Sequence, residues 1–419
     1  MYRFLLILAA VMLLCSCGPR EERQEPVDEN LPIVESLLDS MTVEQKVAQL
    51  FVVAIEHNDG PKDFALQDSL VRMGLGGIII MKGPVGPFIE RANQMQEASE
   101  IPLLECTDAE WGAGMRFDEY LPYPRQYQIG RIPDATDLLY RMGQNVAEEL
   151  KALNIYVNFA PVSDLNFVNP QKGARRSFGL SAEKTAQYCT AYMKGMQDGG
   201  IYACGKHFPG RVEHQVDSHI SMPVFTHSRE YMDSVVLVPF KSLIKEGVGF
   251  IMMGHYCIPA VDSSMVPMSI SRKCVTGLLK EELGFDGLVI TDALGMGGVA
   301  NGRTPLEVNL AAYGAGVDML LMARDVPRSI RAITDSVSCG AFSVEDLDRR
   351  VRKILTFKAK AGFFDEGYSP VVEDLEAKIA VAAAKDSALI AEMNAAIRDA
   401  VSAPVEKVTA DPTLQMIGK

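Results

Sequence analysis

The sequence predicts an α/β protein built as a (β/α)8 barrel of the TIM type with a C-terminal helical extension. Three observations predict it. Eight short apolar runs recur along the chain, turn residues and a helical pattern follow each, and six of the runs end in or lead to a reactive or charged residue. Continuous apolar runs of this length suit strands buried on both faces of a parallel sheet. Alternating them with amphipathic helices gives a closed barrel or, as the structural alternative, a doubly wound open sheet. No G-x-G-x-x-G follows the first run, which removes the dinucleotide-binding form of the open sheet.

In order, the runs are QLFVVAI ending at Ile55, GGIIIM (76–81), PLLECT (102–107), IYVNFAP (155–161), YACGKHFP (202–209), GFIMMGH (249–255), GLVITD (287–292) and VDMLLM (317–322). Between them lie helical patterns such as DLLYRMGQNVAEELKAL (137–153) and SAEKTAQYCTAYMKGMQDG (181–199). The third run ends at Asp108, the fourth leads to Asp164 and the fifth carries Lys206 and His207. The sixth ends in His255, the seventh in Asp292, and the eighth leads to Arg324. In a barrel these positions gather at the C-terminal ends of the strands, the face on which barrel active sites are built.

The chain opens Met1-Tyr2-Arg3 and continues FLLILAAVMLLCS, a positive end followed by an apolar stretch of signal-peptide length. The ending Leu14-Cys15-Ser16-Cys17-Gly18 resembles a bacterial lipoprotein signal, which implies a lipid on Cys17 and anchorage in the cell envelope. An ordinary cleaved secretory signal is the alternative. The polar, Pro-containing stretch after Cys17 reads as a tether. The expected layout is a signal at 1–17, a tether at 18–40, the barrel at 41–366, and a helical extension and tail at 367–419. Residues 372–402 are Ala-rich and periodic, hence helical.

Composition excludes some partners. The chain carries 41 Lys+Arg against 54 Asp+Glu, a net charge of -13. It has no long basic run, so no nucleic acid is expected; tracking phosphates needs clustered positive charge. Two of the eight cysteines lie in the signal, and the rest are scattered without C-x-x-C spacing, which argues against a zinc site. Cys106, Cys204 and Cys257 sit in apolar runs and are expected to pack as small hydrophobes. Export would permit a disulfide, but spacing alone pairs none. No metal or other cofactor is expected.

The runs CGKHFPGRVEHQVDSH (204–219) and LVITDALGM (288–296) resemble glycoside hydrolase family 3, and within it the single-barrel β-N-acetylglucosaminidases. DAEWGAGMR (108–116), VNFAPVSDLN (157–166), RRSFG (175–179) and the closing helix RRVRKILTFKAKAGFF (349–364) also match, in family order, over about 45–365. The resemblance implies that Asp292 is the nucleophile. An ionised carboxylate at a strand end can form a covalent glycosyl-enzyme and offset an oxocarbenium-like transition state. A strand-end Asp capping the next helix is the plain alternative.

The resemblance also implies a general acid/base dyad of His219 and Asp217. Residues i and i+2 share a face in an extended segment, so Asp217 can hold the His219 ring and favour its protonated form. His titrates near neutrality unaided. His214 on the same loop is a rival. The family's pattern implies that Asp108, Arg116, Arg176, Lys206 and His207 contact the sugar. Either arginine could instead pair with a nearby carboxylate, and a buried Lys206 also suits Schiff-base chemistry.

Departures stand out. The family's K-H-F-P-G-x-G ends here in Arg211-Val212, and Trp111 replaces the first of two glycines in D-x-E-G-G. Trp111, the sole tryptophan, could stack on a sugar or fill core. Asp108 and Glu110 together invite a route in which the substrate's acetamido group is the nucleophile. The implied function is a retaining exo-β-N-acetylglucosaminidase acting on peptidoglycan- or chitin-derived oligosaccharides. The alternatives are a catalytically silent sugar-binding lipoprotein, another β-glycosidase, or a phosphorylase of the same family.

Overall fold

The computed structural model describes residues 31–165, 176–211, 222–300 and 302–402. Eight parallel strands form the barrel: β1 (Phe51–Ile55), β2 (Gly77–Ile80), β3 (Leu104–Thr107), β4 (Val157–Asn158), β5 (Tyr202–Phe208), β6 (Phe250–Met253), β7 (Leu288–Thr291) and β8 (Leu320–Leu321). Each falls inside one of the eight apolar runs. The order is β7-β6-β5-β4-β3-β2-β1-β8, and a parallel bridge between Ile290 and Met319 brings β7 to β8. The ring is therefore closed, and the open-sheet alternative fails.

Strand residues are buried almost throughout because helices cover the outside and side chains fill the inside. The helices Thr136–Lys151 and Ala182–Asp198 coincide with the two quoted patterns. They approach closely through Gly143 and Gly195: a Cβ on Gly143 would lie 2.5 Å from the Tyr192 carbonyl oxygen. Ser181 starts the second of these helices by accepting the Lys184 N–H. After β8 come the helices Val326–Ser338, Val344–Lys360 and Leu375–Ser402. The last of these packs against Thr136–Lys151 through buried Ala382, Asp386, Leu389 and Met393.

One boundary needs correction. Composition places 18–40 in a tether, yet Leu31–Ser40 is a helix with Val34 and Leu38 buried. It lies on the helix Val344–Lys360, where Glu35 pairs with Arg352 at 2.5 Å. Apolar spacing of three to four residues gives it a face to bury.

The barrel's lower end, at the N-terminal ends of the strands, is closed by a polar plug. Lys358 Nζ donates to Gln49 Oε1 at 2.9 Å, and Gln49 Nε2 donates to the Gly74 carbonyl at 2.8 Å. Both side chains are fully buried, and burial pushes the Lys358 ammonium down to about 7. Cys106, Cys189, Cys204, Cys257 and Cys274 are buried as thiols, whereas Cys339 is exposed.

Candidate active site

At the opposite end a cavity of about 1490 Å³ opens over the strands, lined by Asp108, Arg116, Arg176, Lys206, His207 and Asp292 among others. All six come from the sequence-derived site list. Asp217, His219 and the rival His214 lie outside the described residues, as does Cys17.

Lys206 sits at the centre. Its Nζ is 2.6 Å from Asp108 Oδ1 and 2.7 Å from Glu110 Oε1, and its side chain is 1% exposed. Asp108 and Glu110 are two residues apart past the end of β3 and converge on one ammonium. Arg116 reaches back to Asp108 through both the carboxylate and, at 3.0 Å, the carbonyl. Arg176 grips Glu110 with two N–H groups, Nε at 2.9 Å and Nη2 at 2.5 Å. Burial alone would raise the Glu110 carboxyl, but the Arg176 guanidinium and Lys206 ammonium outweigh it and hold it at about 2. Asp108 is likewise held low against burial, by Lys206 and Arg116. Burial opposes the charge on Lys206, yet the two carboxylates keep its ammonium above the ordinary lysine value.

His207, the next residue of β5, is held by Asp164 beyond β4. Its Nδ1 lies 2.8 Å from Asp164 Oδ2, which also accepts Arg211 Nε at 2.9 Å. Burial pushes the Asp164 carboxyl up, and Arg211 and His207 hold it well below the usual range. With Nδ1 so engaged, Nε2 is the free corner of the ring, 3.9 Å from Asp292 Oδ2. The peptide bond between Lys206 and His207 is cis.

Asp292 closes β7. Its Oδ1 accepts the Ala293 N–H at 2.8 Å. Burial raises its pKa, but His207, His255 and the Ala293 N–H keep it below the ordinary carboxylate value, so the group is ionised at neutral pH. His255 supports the turn from behind: its Nε2 lies 3.0 Å from the Ala293 carbonyl and its Nδ1 2.8 Å from Ser269 Oγ. Those partners require Nε2 to carry the hydrogen and Nδ1 to accept from the serine. Burial lowers the His255 pKa, consistent with a neutral ring.

Four carboxylates thus gather at the ends of β3, β4 and β7. Asp108, Glu110 and Asp164 each meet a lysine or arginine within hydrogen-bonding distance. Among the described residues, Asp292 meets none. Such a carboxylate can attack an electrophile or stabilise a neighbouring positive charge, while the other three hold cations and the His207 ring in place.

Some of this escapes sequence reasoning. Glu110 enters there only through the acetamido route, although its spacing from Asp108 marks it as a partner on the same face. Arg211 reads as a departure in a loop and turns out to buttress Asp164. Trp111 stands outside the cavity lining; it packs against the core with the Arg125 guanidinium 4.8 Å above its ring. No group of three His, Cys, Asp or Glu residues among the described residues is arranged to hold a metal ion.

The sequence profile described as "Glycosyl hydrolase family 3 N terminal domain" matches residues 42–357. A beta-N-acetylglucosaminidase/beta-glucosidase of Cellulomonas fimi is 28% identical over 347 residues, covering 80% of this chain and 60% of its own length. Beta-hexosaminidase A of Pseudoalteromonas piscicida is 29% identical over 329 residues, covering 70% of this chain and 55% of its own length. The chain therefore spans less than two thirds of the length of these two relatives. The solved structure of a glycoside hydrolase family 3 beta-N-acetylglucosaminidase from Paenibacillus sp. str. FPU-7 superposes with a TM-score of 0.71 at 30% identity, covering 82% of this chain and 68% of that one. A beta-glucoside phosphorylase superposes with a TM-score of 0.79 at 23% identity, covering 87% and 67%, a likeness of fold alone.

Proposed function

The chain belongs to glycosyl hydrolase family 3, and from that premise we propose that it is a retaining, exo-acting β-N-acetylglucosaminidase that removes terminal GlcNAc from peptidoglycan- or chitin-derived oligosaccharides. The observation that carries the reading is Asp292, ionised, facing the cavity, and without a lysine or arginine partner among the described residues. The names of the Cellulomonas, Pseudoalteromonas and Paenibacillus relatives support the sugar.

In the proposed mechanism Asp292 attacks the anomeric carbon as the bond to the leaving oxygen breaks. His219, oriented by Asp217, protonates that oxygen. The resulting glycosyl ester on Asp292 is then hydrolysed by water, which His219 deprotonates as it attacks. Asp108, Lys206 and His207 bind hydroxyls of the sugar. Asp108 and Lys206 pair with each other and His207 pairs with Asp164, so all three are fixed before substrate arrives, which lowers the ordering cost of binding. By its apolar leader, we also propose that Cys17 carries a lipid that holds the enzyme in the bacterial cell envelope.

The test incubates the chain and its Asp292→Asn variant with 4-nitrophenyl β-N-acetylglucosaminide and β-glucoside, with and without phosphate. Wild type should release nitrophenol and free GlcNAc from the first, independently of phosphate, and Asp292→Asn should lose nearly all turnover while keeping its fold. A sugar phosphate as product would make the protein a phosphorylase. Binding of GlcNAc without turnover in wild type would make it a silent binding protein.

A further inference from the structure

Where the helix Leu375–Ser402 lies on Thr136–Lys151, two acidic side chains meet inside the protein. Glu149 and Asp386 are each 1% exposed. Asp386 Oδ1 accepts the Tyr123 hydroxyl at 2.5 Å, and Asn145 Nδ2 is 3.0 Å from that hydroxyl. Glu149 Oε2 accepts the Ala113 N–H at 2.9 Å. The two remaining oxygens, Glu149 Oε1 and Asp386 Oδ2, are buried without a donor, although the two carboxyls are hydrogen-bonding neighbours. Two ionised carboxylates so placed would repel at low dielectric and leave both oxygens unsatisfied. One proton between them removes both penalties.

Among the described residues, the groups facing the pair supply no countercharge in its place. Tyr120, Tyr123 and Tyr192 surround it, with Glu119 acting on Tyr120. The nearby cations on the two helices are engaged elsewhere, Lys385 with Glu148 and Arg141 with Asp137 and Glu392.

The pair also supports the segment that bears on the cavity. Ala113 follows Asp108 and Glu110 and precedes Arg116. Gly112 has φ +84, and a Cβ there would fall 2.7 Å from Tyr123 Cδ2 and 3.4 Å from Glu149 Oε2. The start of the segment is tied down separately, by Asn158 on the Ala109 N–H at 2.9 Å and carbonyl at 3.0 Å.

We propose that Glu149 and Asp386 share a single proton and form a positioning pair that holds the segment carrying Asp108, Glu110 and Arg116 at the cavity. Its effect on turnover rests on the glycosidase reading; the shared proton and the anchoring of the segment do not. The proton resides on Glu149. Its Oε1–H donates to Asp386 Oδ2, Oε2 stays free to accept Ala113, and Asp386 Oδ1 goes on accepting the Tyr123 hydroxyl. In keeping with this, burial and then the Asp386 neighbour raise the Glu149 carboxyl well above the carboxylate range.

Glu149→Gln tests this directly, because the amide N–H stands where the acid proton would be. Wild type, Glu149→Gln and Asp386→Ala are compared as full chains. A carboxyl whose pKa is raised on folding contributes stability below its unfolded value, about 4.3, and loses it as pH rises toward the folded value. Within that window the wild-type unfolding constant should grow about tenfold per pH unit relative to Glu149→Gln. Parallel stability curves for the two from pH 5 to 9 would overturn the shared proton. Hydrogen exchange over 109–117 should be unchanged in Glu149→Gln and at least about tenfold faster in Asp386→Ala. Unchanged exchange in Asp386→Ala would overturn the positioning role. With the chromogenic β-N-acetylglucosaminide, Asp386→Ala should raise KM more than it lowers kcat, and Glu149→Gln should keep both near their wild-type values. If wild type turns over no such substrate, the glycosidase reading fails, while the exchange and stability measurements still decide the pair.

Discussion

Glu110→Gln is the sharpest probe of the charge cluster. Glu110 is fully buried and accepts from Arg176 and Lys206. Those partners hold its carboxyl at about 2, against about 4.3 in an unfolded chain. A difference of about 2.3 pH units corresponds to roughly 3 kcal/mol of stability at pH 7. A second route gives a similar figure: removing one partner of a buried ion pair costs about 3–5 kcal/mol, because the cations left behind are desolvated and unpaired. Glutamine adds a further fault, since its N–H group would face the N–H groups of Arg176.

The variant should therefore unfold about 3–4 °C below wild type at pH 7, since an unfolding entropy of about 2.1 cal/mol/K per residue makes each kcal/mol worth only about 1 °C in a chain of this length. The sign with pH is fixed. A carboxyl depressed on folding contributes stability above its unfolded pKa and loses it as pH falls through the folded pKa. The gap between wild type and Glu110→Gln should stay constant from pH 7 to about 5 and close between about 4.3 and 2. Thermal or urea denaturation of both proteins across that range measures it, and comparing the two cancels the carboxylates that do not interact with Glu110. Superimposed curves at pH 7, or a gap that persists at the acid end, would refute the claim that the pairing is net stabilising.

Three further outcomes are expected. Lys358→Met should stabilise the protein most below pH 7: the buried ammonium, pushed down to about 7, opposes folding by roughly 4–5 kcal/mol there and progressively less toward pH 10. The loss of a donor to Gln49 offsets about 1–3 kcal/mol at every pH, so denaturation should show a net gain of about 2 kcal/mol at pH 6 that reverses to a loss of about 1–3 kcal/mol in alkali. His219→Ala should lose far more kcat/KM on a GlcNAc disaccharide than on the nitrophenyl glycoside, because a sugar alkoxide needs a proton to leave and a nitrophenolate hardly does; equal losses would make His219 a binding residue and turn attention to His214. Cys17→Ser should move the protein from the membrane fraction to the soluble one, and an unchanged distribution on fractionation would remove the lipid anchor.

The barrel was legible because its strands are buried on both faces and so read as unbroken apolar runs. Even β4 and β8, two-residue ladders, sit inside such runs. The helix Leu31–Ser40 was hidden by its setting. Its buried face amounts to little more than Val34 and Leu38, and a proline follows its first residue after a long polar stretch. Composition averaged over that stretch reads as a tether, whereas local spacing reads as a helix. The docking of Leu375–Ser402 was beyond sequence altogether. Its Ala-rich pattern announces a helix but names no partner, and the Tyr123–Asp386 hydrogen bond spans 263 residues.

The gathering of the candidate residues at strand ends was legible for a different reason: a strand end is a fixed address, and polar groups at several such addresses must share one face. What sequence does not supply is which charges neutralise which. Arg176 shows why this matters. Reading it as a substrate contact or as a carboxylate partner poses two alternatives, and the guanidinium makes them compatible. It has five N–H donors in a rigid fork. Two bonds to Glu110 employ Nε and Nη2, and among the described residues Nη1 has no hydrogen-bonding partner, while the residue lines the cavity. Pairing with a buried carboxylate fixes the plane of the fork, so the uncommitted edge keeps its orientation with no substrate bound. A lysine in its place could neutralise Glu110 but could not hold a second donor edge in a set direction. Arg176→Lys should consequently preserve stability better than Glu110→Gln does, yet still raise KM on the chromogenic substrate. An unchanged KM would confine Arg176 to the ion pair.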